Sequence, residues 1–285
     1  MQEDNRVAPK LTTIGSDIDH PEGVCWDPRG SIIVGTEGGL LLWLDPESGE
    51  IQRQFEPGGF IGGIALDAAG RAYACDIGGH RVVRVDPDSG TIDTYSKGPE
   101  GTELRIPNYP VFDRDGRLYV SDSGDWGESN GRVIVVEPSG EARVISTETN
   151  GFTNGLALSP DGAWLYVVES TLPGVTRLPL TDDGSAGARE LVVDMPRTVP
   201  DGLAFTDTGK LLITCFRPDT IYLNDGGSNS VVAEDWSGIT LNSPTNVAFG
   251  GADLGELYAA NLGAYHVTHV ETEMRGAPLN YPEIG

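Results

Sequence analysis

Short runs in which apolar and polar residues alternate recur along the whole chain. They read SIIVGT at 31–36, RVVRVD at 81–86, RLYVSD at 117–122, RVIVVE at 132–137, LYVVES at 165–170 and KLLITC at 210–215. A period of two predicts strands with one strongly apolar face, and no stretch of useful length carries the 3.6-residue period of an amphipathic helix. The chain is predicted to be all-β.

The strands come in copies. The turns between paired strands align as WDPRGSIIV, LDAAGRAYA, FDRDGRLYV, LSPDGAWLYV, FTDTGKLLI and FGGADLGELYA. A third strand follows in most copies (LLLWLDPESGE, HRVVRVDPDSGT, GRVIVVEPSGEA), and a short fourth is visible as IQRQF and TIDTYS. Five positions ahead of each turn stand Glu22, Gly62, Asn108, Asn154, Asp201 and Thr245, at intervals of 40, 46, 46, 47 and 44 residues. Four antiparallel strands at this period predict propeller blades. Six copies predict a six-bladed β-propeller filling residues 1–285 as one domain. Residues 1–14 serve as lead-in and closing strand, with PKLTTIG supplying the outer strand of the last blade and removing two open sheet edges.

The strand directions separate the two faces of the disc. Positions just before the first strands share a face with the loops after the second strands: Thr36-Glu37, Cys75-Asp76, Ser121-Asp122, Val168-Glu169, Cys215-Phe216 and Asn261-Leu262. First strands are innermost, so the six aligned positions surround the central channel. Glu22, Asn108, Asn154 and Asp201 put side-chain oxygen there, Thr245 adds a hydroxyl, and neither histidine nor cysteine occurs in the column. Asp or Asn ahead of a strand is ordinary turn chemistry at any single position. Four around one axis point instead to a hard cation, calcium foremost and magnesium or manganese next. Two carboxylates facing a narrow channel repel unless a cation joins them. The DPESG and DPDSG segments are turns, lacking the longer pattern of a calcium loop.

The segments HPEGVCWDPRG, PNYPVFDRDGRLYVSDSG, FTNGLALSPDGAWLYVVES, VPDGLAFTDTGKLLI and PTNVAFGGADLGELYAANLG…GAPLNYP carry a resemblance over essentially the whole chain. It is to the family of senescence marker protein (regucalcin), gluconolactonase and luciferin-regenerating enzyme. The resemblance implies a six-bladed propeller with one divalent metal, usually calcium but with magnesium, manganese or zinc as options, at the bottom of a funnel. The implied ligands fall on Glu22, Asn108, Asn154 and Asp201. Members hydrolyse sugar lactones, other lactones or organophosphates. Where sugar-lactone members often show Arg-x-Asn-Asp, this chain reads RIPNYP, with Arg105 three residues before Asn108. Candidate pocket residues are Arg105, Tyr109, Asp122, Trp126, Glu169 and Phe216, with Phe60 and Phe152 extending an apolar wall.

The expected reaction is metal-assisted hydrolysis of a lactone or related ester, with Asp201 as general base or nucleophile. No GxSxG elbow occurs, and His20, His80, His266 and His269 form no evident triad, which sets a serine nucleophile low. The rival readings are a non-enzymatic propeller that binds calcium or a partner, an organophosphate hydrolase, and a strictosidine-synthase-like enzyme with Glu169 or Glu37 as acid/base.

Charge narrows the partners. The formal net charge is -24, from 43 acids against 19 bases, only three of them lysines. That disfavours nucleic acid and anionic membranes, leaving a small-molecule substrate and a monomer or weak oligomer. It also suits a high-salt cytoplasm, where screening removes self-repulsion. MQEDNRVAPK lacks the apolar core of a signal peptide, and no segment has the length of a membrane span, so the expected location is cytoplasmic. Cys25, Cys75 and Cys215 lie inside strand patterns and read as small buried residues.

Overall fold

The computed structural model describes residues 9–285. Six four-stranded antiparallel sheets are arranged in a ring as the blades of a β-propeller. The innermost strands are Pro21–Asp27, Ile61–Leu66, Pro107–Phe112, Thr153–Leu158, Val199–Phe205 and Pro244–Gly250, numbered here as blades 1 to 6. Blade 6 takes its outer strand from the other end of the chain: Leu11–Ile14 pairs with Val267–Val270. The closing strand is therefore the expected one; residues 1–8 of the expected lead-in lie outside the described residues. No helix is long and apolar enough to cross a membrane among the described residues.

Each junction between neighbouring blades holds one apolar cluster. Val24, Trp26 and Val34 of blade 1 pack on Ala248, Tyr258 and Ala260 of blade 6, and Ile14 of the closing strand joins them. Ile33 and Leu41 of blade 1 meet Ile61, Ile64 and Val83 of blade 2 on the other side. Fully burying one such side chain contributes about 1.5–3 kcal/mol. The alternating pattern thus becomes a set of sheets apolar on both packed faces. All three cysteines are free and buried in these layers.

On one face of the disc lie the DPRG-type turns. Arg29, Arg71 and Arg117 there bond the turn carboxylates of Asp27, Asp67 and Asp113 at 2.8, 2.6 and 3.0 Å. The C-terminal segment crosses this face. It bonds Leu254 through Gly276, Phe205 through Ala277, Phe112 through Asn280, Trp26 through Tyr281 and Ala68 through Pro282. Five blades are thereby tied together beneath the channel.

Every first strand carries one extra residue at the same place. In blades 2 to 6, residue pairs 62–63, 108–109, 154–155, 201–202 and 245–246 each oppose a single residue of the second strand. In blade 1, Glu22 is inserted between the pairs Pro21–Thr36 and Gly23–Gly35. Proline precedes the extra residue in four blades (Pro21, Pro107, Pro200, Pro244) and has no N–H to give the ladder, which favours a bulge. A bulge frees a side chain from the alternation and re-aims it. These six bulges re-aim the six aligned positions found in the sequence.

Candidate metal centre

Hydroxyls fix the bulges to one another. Ser123 Oγ donates to the Thr153 carbonyl at 2.7 Å, Ser170 Oγ to that of Pro200 at 2.8 Å, Thr214 Oγ1 to that of Thr245 at 2.6 Å, and Thr245 Oγ1 to that of Glu22 at 2.8 Å. Glycine at 155 and 202 lets the backbones close up, since a Cβ there would stand 2.3 Å from the Asp201 carbonyl oxygen and 2.5 Å from that of Thr245. The ring of column residues is therefore held by backbone and short side chains, which move little.

Within this frame Glu22, Asn108, Asn154 and Asp201 are all buried. Glu22 Oε2, Asn108 Oδ1, Asn154 Oδ1 and Asp201 Oδ1 have no hydrogen-bond partner in the protein. An unmatched buried polar atom costs about 1–3 kcal/mol, and native structures rarely tolerate several together. Only seven such atoms occur among the described residues, so four in one ring mark the place where a ligand is wanted. The orientation of Asn154 follows from its neighbour. Ser170 spends its hydroxyl proton on Pro200 and accepts Asn154 Nδ2 at 3.1 Å, which leaves the amide oxygen free.

Electrostatics agree. Burial pushes the Glu22 carboxyl up to about 7, the Thr245 hydroxyl opposing and the Glu37 charge adding. Burial, then the Glu22 charge, holds Asp201 well above the carboxylate range, the Asn154 amide opposing. Two carboxylates in one desolvated ring, with the Glu22 charge raising Asp201, are stabilised as anions by a cation between them. No three His, Cys, Asp or Glu side chains converge among the described residues, so any cation here also needs the two amides. The four unmatched oxygens fit a hard divalent ion.

Thr245 gives its hydroxyl proton to the Glu22 carbonyl, which joins the blade 6 bulge to that of blade 1. Its neighbour Asn246 falls one step beyond the aligned column, at a position where four blades have glycine (Gly23, Gly63, Gly155, Gly202). Its Nδ2 donates to the Glu22 carbonyl at 3.0 Å, while its buried Oδ1 is unmatched and lies over Gly202. The extra residue of the blade 6 bulge is the signal that finds it.

Other expected pocket residues are placed elsewhere. Asp122 and Glu169 are braces and not walls of a pocket. Asp122 accepts the Arg105 and Ile106 N–H groups at 3.0 and 2.8 Å and pairs with Arg132 at 2.8 Å. Glu169 accepts those of Asn150 and Gly151 at 3.1 and 3.2 Å and pairs with Arg189 at 2.7 Å. Asp76 and Arg81 repeat the device in blade 2. Each brace fixes the loop leading into a first strand, and the acid/base role considered for Glu169 has no free carboxylate to serve it. Tyr109 is turned to the far side of the ring by the bulge and lies over Gly63, in the wall of an apolar cavity of about 120 Å³. One residue from each blade lines that cavity: Val24, Ile64, Pro110, Leu156, Leu203 and Val247. Arg105 is tied to Asp125 at 2.5 Å. Trp126 meets Phe152 edge-on at 4.8 Å, and Phe216 lies under the Arg217 guanidinium at 4.6 Å.

Six blades around an axial ring of unmatched oxygens define the class, a six-bladed β-propeller with its candidate chemistry at one end of the central channel. Residues 20–261 match the SMP-30/Gluconolactonase/LRE-like region, and the chain belongs to that family. It is 29% identical over 257 residues to 6-deoxy-6-sulfogluconolactonase of Pseudomonas putida, covering 82% of this chain and 80% of the relative. Among solved structures, a gluconolactonase from Xanthomonas campestris, XC5397, superposes with a TM-score of 0.78 at 22% identity, over 92% of this chain and 89% of the other. A calcium-binding protein, regucalcin, from Agrobacterium tumefaciens does so with 0.76 at 17% identity, over 95% of both chains.

Proposed function

We propose that the chain is a metal-dependent hydrolase of lactones or related esters, with one divalent cation, calcium foremost, held by Glu22, Asn108, Asn154 and Asp201. The observation that carries the reading is the set of four buried oxygens with no protein partner, each at the bulge of a different blade's innermost strand. The relatives named as lactonases support the reaction class. A cation bound there supplies Lewis-acid polarisation of the ester carbonyl and acidifies water.

The chain's own residues divide the remaining work. Glu22 and Asp201 bring two negative charges, which balance a divalent ion. Asn108 and Asn154 bring neutral carbonyl oxygens and leave the site uncharged overall. The Asp201 carboxylate accepts the proton of the attacking water and returns it to the ring oxygen as the acyl C–O bond breaks, so that a lactone and water give one hydroxy acid. The braces at Asp76, Asp122 and Glu169 hold the loops and take no part in proton transfer.

The test is hydrolysis of gluconolactone, γ-butyrolactone and aryl esters, with and without EDTA, in the wild type and in Asp201→Asn. Activity lost to EDTA, restored by calcium and absent from the variant is expected. Activity that survives both treatments would sink the reading. Calcium binding without turnover of any ester would favour a binding role.

A further inference from the structure

The loop that leads to Asn154 is flanked by exposed apolar side chains. Phe152, two residues ahead of Asn154, sits in the left-handed region with φ 55°. That conformation is strained for an aromatic residue and persists only where surrounding contacts impose it. Here the Ser170 N–H donates to the Phe152 carbonyl and Glu169 grips the preceding Gly151 N–H. The held ring meets Trp126 edge-on, yet Trp126 stays 61% exposed. An indole that merely packed its own loop would be covered. This one stands on a loop already fastened by the reciprocal bonds of Asp125 and Asn130 at 2.8 and 2.9 Å. Leu172 lies against Gly151, the residue before Phe152, and is 53% exposed, so a third apolar side chain stands at the same loop. Arg105, the cation expected in the pocket, gives one guanidinium nitrogen to Asp125 at 2.5 Å.

We propose that the Trp126–Phe152–Leu172 surface is a subsite for an apolar substituent, which makes the preferred substrate a lactone bearing an alkyl or aryl group. The proposal rests on the hydrolase reading above and adds the substrate class. Its occupant is the substrate itself, because Phe152 belongs to the loop that delivers Asn154 and both Trp126 and Leu172 pack on that loop. A rigid, pre-exposed aromatic pair binds such a group with little ordering cost.

The measurement is kcat/KM with saturating calcium for γ-butyrolactone, an alkyl-substituted γ-lactone of nine carbons, dihydrocoumarin and gluconolactone. The alkyl and aryl lactones are expected to exceed γ-butyrolactone by about tenfold or more, mainly through KM, since a few methylenes in an apolar pocket carry that much discrimination. Trp126→Ala should cut this ratio about tenfold, while Trp126→Phe keeps most of it, with calcium affinity read by calorimetry to show that each variant folds. Equal rates across the panel, or a preference that survives both Trp126→Ala and Phe152→Ala, would overturn the subsite and leave the hydrolase standing. No turnover of any lactone would remove the hydrolase reading, and the subsite with it.

Discussion

The two ends of one channel differ completely within two residues of chain. At the column level stand Glu22, Asn108, Asn154 and Asp201, with unmatched oxygens and raised acids. Two residues further along the same strands stand Val24, Pro110, Leu156 and Leu203, facing the apolar cavity. The backbone frame is the same six-fold ring in both tiers. The contrast teaches that the scaffold is neutral toward chemistry. The bulge decides which side chains leave the ladder, and the residue type placed on it decides what they do.

The comparison is broken most severely at Asp201. Asp201→Asn keeps shape and removes one charge and the proton acceptor, so lactone kcat/KM is expected to fall by about 10²–10⁴, measured by pH-stat. In the apolar tier, Leu156→Ala is expected to cost about 2–5 kcal/mol in urea unfolding while calcium affinity stays within twofold, about the limit of calorimetry. A larger change in affinity would show that the tiers are not independent. A smaller effect comes from the supports: Ser170→Ala frees the Asn154 amide to rotate, and calcium should bind about tenfold more weakly. The smallest is a slope. Without a cation the Glu22 carboxyl titrates near 7 in the folded chain against an ordinary value of 4.5, so the folded state holds more protons than the unfolded state between those values. Stability contributed by this group is complete below about 4.5 and is lost as pH rises through about 7. In EDTA the melting temperature should fall across that window, and excess calcium should flatten the slope; a pH-independent melting curve in EDTA would remove the case for an unpaired acid.

The fold was legible because alternation and the turn motifs repeat at nearly constant spacing, and the same register exposed all four ring residues. What stayed hidden lies in pairings across long stretches of chain. Asp122 and Glu169 look like free acids on the mouth-side loops until Arg132 and Arg189 are seen to fold back on them. Tyr109 and Asn246 are the second residues of bulges, and an extra residue reverses the facing that strict alternation would assign. The exposed Trp126 could be located in its loop by sequence, but its partner Phe152 depends on a backbone conformation that no residue type announces.

The closing strand has a consequence in time. Leu11–Ile14 finds its place only against Val267–Val270, at the far end of the chain. During synthesis blades 1 to 5 can form in turn, while the seam between blades 6 and 1 stays open until Val267–Val270 has left the ribosome. Glu22 and Thr245, which face each other across that seam, meet last. The Glu22 backbone is then fixed by the final event of assembly, and a chain stopped short of the last blade would carry all four ring oxygens without the Thr245 and Asn246 bonds that hold Glu22 in place.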